Sequence, residues 1–71
     1  MDSREWIDAF SARLGVTPPD DATVEALLDL AGVAAHASER TAAPITCWLL
    51  GQAGIGVDEA RRLADELAAA G

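Results

Sequence analysis

Between Ile45 and Ala53 the chain offers only two polar side chains, Thr46 and Gln52, and no other stretch constrains its fold as much. At 100° per residue, Ile45, Cys47, Trp48, Leu49, Leu50 and Ala53 go almost all the way round a helix. A helix that is apolar on every side is predicted to be buried on every side. Pro44, just ahead of the run, falls in the first turn, where its missing donor would be unpaired in any case, and Thr41 is placed to cap that turn. Gly51 inside the helix costs about 1 kcal/mol relative to Ala, so close approach of another helix is the expected compensation. In a chain of 71 residues the remaining segments have to cover this one, which predicts it as the central helix.

Three further helices follow from the same kind of pattern. Trp6, Ile7, Phe10 and Leu14 fall within an arc of roughly 100°, Asp2 and Glu5 have the spacing of a capping box, and Gly15 stands where a left-handed C-cap is favoured. The first helix is therefore placed at about 3–14. Val16, Thr17, Pro18 and Pro19 make a stiff connector, since two prolines fix two φ angles and remove two donors. Asp20 and Asp21 open a second helix, at about 21–40. Its apolar residues, from Val24 through Leu27, Leu28, Leu30 and Ala31 to Ala35, cover more than half the circumference, so it is expected to pack on more than one side. The remaining stripe holds Glu25, Asp29, Gly32, His36 and Arg40, with Glu39 at its edge. The third helix, at about 42–54, ends at Gly54-Ile55-Gly56.

Asp58 is read as the cap of a fourth helix, at about 58–69, with Ala60, Leu63, Ala64 and Leu67 facing inward. Outward pairs Asp58–Arg62, Arg61–Asp65 and Arg62–Glu66 at i,i+4 are worth about 0.2–0.5 kcal/mol each. No strand pattern or internal repeat competes. The predicted fold is all-α, a small compact four-helix bundle forming a single domain over residues 1–71. A chain this short buries only roughly 60% of its unfolded surface, so its core has little to spare.

Charge removes several function classes. Five cationic residues against twelve acidic ones give a formal charge of −7, and the cations form no basic stripe able to neutralise phosphates, so nucleic acid and anionic membrane surfaces are not expected partners. No apolar run approaches the roughly 18–20 residues that span a bilayer. The first residues lack the basic and apolar regions of a secretory signal, and the lone Cys47 has no partner for an internal disulfide, so the expected compartment is the cytoplasm.

His36, Glu39 and Arg40 form the densest collection of functional groups. One helical turn separates His36 from both others, so a carboxylate could orient the imidazole, or Arg40 could hold an anion beside it; equally, the trio could simply lock the end of the second helix to the next turn. No zinc-type spacing links His36 and Glu39 to Cys47, and Cys47 in so apolar a helix reads as an inert core residue rather than a nucleophile. Gly51, Gly54 and Gly56 lack the preceding strand and following Lys of a phosphate loop. An acyl carrier would need Asp-Ser at the start of the second helix, where this chain has Asp20-Asp21-Ala22-Thr23. Neither a catalytic residue, a metal ligand set nor a cofactor is assigned, so the chain is not expected to be an enzyme. Trp6 and Trp48 sit at core spacings; exposed, either becomes an interface anchor.

The run from Val33 through Ala35-His36-Ala37-Ser38-Glu39-Arg40 to Ala43-Pro44-Ile45-Thr46, with Leu49-Leu50-Gly51 behind it and Glu5-Trp6, Phe10 and Leu14 ahead, resembles a small actinobacterial helical domain of unknown function. The likeness covers about residues 4–68. That domain occurs free-standing and appended to molybdenum-cofactor guanylyltransferases. The resemblance implies a non-catalytic accessory or protein-interaction domain associated with synthesis of molybdopterin guanine dinucleotide, with such a guanylyltransferase as partner. Two alternatives stand beside it: a small-ligand or nucleotide-binding module using His36, Glu39 and Arg40, and a self-associating structural domain, a homo-oligomer formed through the apolar third helix.

Overall fold

Local capping chemistry decides where each helix begins. The Glu5 amide donates to Asp2 Oδ1 at 2.8 Å and the Asp2 amide donates to Glu5 Oε1 at 3.0 Å, a complete capping box that opens α1, Ser3–Leu14. Gly15 closes α1 in the left-handed region, φ 74°, where a Cβ would be strained. After the two prolines, the Thr23 amide donates to Asp20 Oδ1 at 2.8 Å and starts α2, Asp21–Ala37. Two helices follow, α3 at Ala42–Ala53 and α4 at Val57–Ala70, with Gly54 left-handed at φ 68° between them. The computed structural model describes residues 1–71, contains no strand, and makes the chain the expected all-α bundle of four helices.

Three boundaries differ from expectation. α2 stops at Ala37 rather than 40. Ser38 leaves helical geometry at φ −135° and ψ −107°, and the Glu39 and Arg40 carbonyls instead accept from the amides of Ala42 and Ala43 at 2.9 and 3.1 Å. Thr41 makes no side-chain cap, its backbone being already helical at φ −66° and ψ −17°. The N-cap of α4 is Gly56, so Asp58 lies inside the first turn beside Glu59, where both face the positive end of the helix. Arg62 accordingly pairs with Glu59 at 2.6 Å and Glu66 at 2.7 Å, not with Asp58.

The order of packing is the main correction. α2, not α3, is the central helix: it packs against both α3 and α4. Its wide apolar arc serves both neighbours, as its sequence indicated, and Leu30 at 1% exposure is the one completely buried side chain. α3 has a single packing partner and no buried residue, and Trp48 is 62% exposed, with Ile45 and Leu49 also outside. The predicted burial fails for a simple reason: no helix remains to cover the far side. Gly51 likewise faces open space, without the close helix approach expected of it.

α1 stands apart from the three-helix body. Its link is Arg4, whose Nη2 donates to the Pro19 carbonyl at 2.7 Å while Nε lies 3.3 Å from Asp8 and Nη1 3.5 Å from Asp21. Of its four apolar positions only Ile7 turns partly inward; Trp6, Phe10 and Leu14 are exposed, and the buried residue is Ser11, whose Oγ donates to the Ile7 carbonyl at 2.7 Å. The molecule measures 39 × 24 × 19 Å.

Candidate functional site

The stripe of α2 that carries Asp29, Gly32 and His36 faces α4, and an open groove of about 580 Å³ runs between them, with Arg61 and Ala68 on the opposite wall. His36 Nδ1 lies 2.8 Å from the Gly32 carbonyl. That partner can only accept, so Nδ1 carries the proton, and in the neutral ring Nε2 is left as an acceptor. Arg61 is already engaged, with Nε 3.2 and 3.3 Å from the two Asp65 oxygens and Nη1 4.0 Å from Asp29. The lining itself holds one carboxylate, Asp29, and one guanidinium, Arg61, whose nearest partner, Asp65, lies outside the groove.

Glu39 and Arg40 are not part of this groove. Both lie exposed in the α2–α3 turn, and no side-chain hydrogen bond or ion pair joins either to His36. The polar trio read from the sequence therefore does not converge, and only the backbone carbonyls of Glu39 and Arg40 take part in the junction. The reason is the early end of α2: beyond Ala37 the 100° periodicity that would align His36 with Arg40 no longer applies. What sequence reasoning missed is the meeting of His36 and Asp29 with Arg61. The stripe placed the first two together, but no local signal brings α4 alongside.

Cys47 borders a separate apolar groove of about 270 Å³ with Ile7, Leu27 and Leu28. Eleven residues after His36 in sequence, it lies in a different groove, so the two form no nucleophile and base pair. No group of three His, Cys, Asp or Glu side chains is placed to hold a metal ion.

The more prominent features are apolar. Trp6 and Phe10 on α1 stack with ring centroids 6.0 Å apart at 15°, while 59% and 52% exposed, and line a shallow groove with Met1 and Arg13. A second groove, about 310 Å³, lies over Leu30 between α3 and α4, walled by Leu49, Leu50, Ile55, Leu63 and Leu67. Three exposed side chains on helix surfaces have shifted ionisation. The Arg62 guanidinium holds the Glu59 carboxyl below its ordinary range and is itself raised by it, and the hydrogen bonds from Thr23 hold Asp20 low.

No helix is long and apolar enough to cross a membrane. No curated protein and no solved structure matches the chain. A family profile does, over residues 1–71, and the chain belongs to that family, the domain of unknown function DUF6457.

Proposed function

We propose that this chain is a non-catalytic interaction domain, and that the stacked Trp6–Phe10 pair on α1 is the anchor with which it grips a protein partner. The observation that carries the reading is the outward placement of two large aromatic side chains, stacked on each other, on a helix held to the body chiefly through Arg4. Aromatic anchors of this kind dominate binding energy where they enter a partner's pocket. The resemblance of residues 4–68 to an actinobacterial module found beside molybdenum-cofactor guanylyltransferases supports such an enzyme as the partner, to which this domain would be an accessory in molybdopterin guanine dinucleotide synthesis.

Titration calorimetry with the guanylyltransferase of the same genome tests it. Binding that weakens more than about tenfold in Trp6→Ala, as expected for a hot-spot aromatic, supports the reading; absence of binding removes the enzyme as partner. A second reading, a small-ligand site between α2 and α4, has in its favour the size of that groove and the free nitrogen of His36. Titration with molybdopterin or a nucleotide, watched by NMR, decides it: unmoved His36 and Arg61 resonances at millimolar ligand eliminate the site.

A further inference from the structure

We propose that the apolar face made by α3 and the adjoining edge of α4 is covered by the same face of a second copy of this chain. It concerns a different surface from the α1 anchor and stands independently of it. Surface area is the first argument. A 7.3 kDa chain folded as an ordinary monomer exposes about 4,200 Å² by the size scaling of accessible surface, whereas this one exposes 5361 Å². The excess, about 1,200 Å² per chain and shared between the exposed side of α1 and the α3–α4 face, leaves room for the roughly 800 Å² each partner buries in a standard interface. The radius of gyration agrees in direction: 12.9 Å, against about 11 Å for a compact chain of this length.

Charge is the second argument, and it chooses the face. The chain carries −7, so copies repel one another over most of their surface. None of the twelve acidic residues lies in α3, which has no charged side chain at all. Trp48, Ile45 and Leu49 project from it, and Leu63 and Leu67 of α4 continue the apolar surface across the shared groove. Two acidic copies can meet here without opposing their carboxylates. A charged partner would find nothing to pair with, whereas the cores of homodimer interfaces are more apolar than those of transient complexes.

Permanence is the third argument. With Leu30 the one completely buried side chain, the folded chain needs this face covered continuously, not only when an occasional partner is present. A second copy exists wherever the chain is made. The contact is isologous, closed by a two-fold axis, so it ends at a dimer and does not grow into a filament.

Sedimentation equilibrium of the full chain tests the proposal. The expected mass is twice 7.3 kDa at micromolar concentration, falling to a single chain in Trp48→Glu and remaining dimeric in Trp6→Glu, which places a charge on the other exposed face. A helical wild-type chain that stays monomeric at high concentration overturns it, as does a dimer that Trp6→Glu dissociates and Trp48→Glu does not. Should Trp48→Glu fail to fold, Trp6→Phe leaves Trp48 as the sole indole. Its emission is then expected to be blue-shifted and shielded from acrylamide, and to shift red on dilution. An indole quenched as freely as tryptophan in solution, at every concentration, overturns the proposal equally.

Discussion

Leu30 concentrates at one residue what larger domains spread over many. It lies on the central helix, 1% exposed, beneath the groove where α3 and α4 come together. Truncation to Ala opens a cavity between three helices and is expected to cost about 2–5 kcal/mol, enough to unfold a chain with so little other burial. Leu28, two residues earlier on the same helix and exposed, is the control: Leu28→Ala should change urea-denaturation stability by no more than about 0.5 kcal/mol. A comparable loss at both positions would mean that the core does not centre on Leu30. A second residue, Asp20, links the fold to pH. Hydrogen bonds from Thr23 lower its carboxyl below the ordinary 3.8, so its stabilisation of α2 is complete above 3.8 and disappears as pH falls through the depressed value. Circular dichroism in acid should show helix loss in that window, and Asp20→Asn, which caps without titrating, should lose less.

At the scale of elements, α1 is the helix least tied to the others. Its attachment runs through Arg4, which reaches the Pro19 carbonyl and lies close to Asp21, with Ser11 and Ile7 beneath. Arg4→Ala is expected to speed amide exchange throughout Ser3–Leu14 while leaving α2, α3 and α4 unchanged, because those three are held by one another. Uniform acceleration in all four helices would show that α1 is integral to the body. The same division separates what could be read from sequence and what could not. Helix starts at Asp2 and Asp20 and stops at Gly15 and Gly54 are local signals, satisfied by atoms within a few residues, and all four lie where the pattern put them. Which apolar face finds a partner is not local. Periodicity could not tell that Ser11 rather than Phe10 would turn inward, that α2 rather than α3 would take the centre, or that Arg61 would come alongside His36.

For the whole molecule, the relation between size and surface has a thermodynamic consequence that distinguishes a self-sufficient fold from a shared one. A 71-residue chain that folded alone would melt at a temperature independent of its concentration. If folding is completed by a second copy over α3, unfolding releases two chains, and mass action raises the melting temperature with concentration. The size of the effect follows from the unfolding entropy of two chains, near 2.1 cal/mol/K per residue, which gives a rise of about 5 °C for each tenfold increase in protein. Calorimetry across the micromolar range measures it directly. Charge supplies an independent check on the same transition: twelve carboxylates against five guanidiniums repel within and between copies, so added salt should raise the midpoint by screening that repulsion, and most at low protein concentration, where association is weakest. A melting temperature unmoved by concentration would mean that α2 and its two neighbours hold together around Leu30 alone, and that the exposed surface of α3 is tolerated by a single chain.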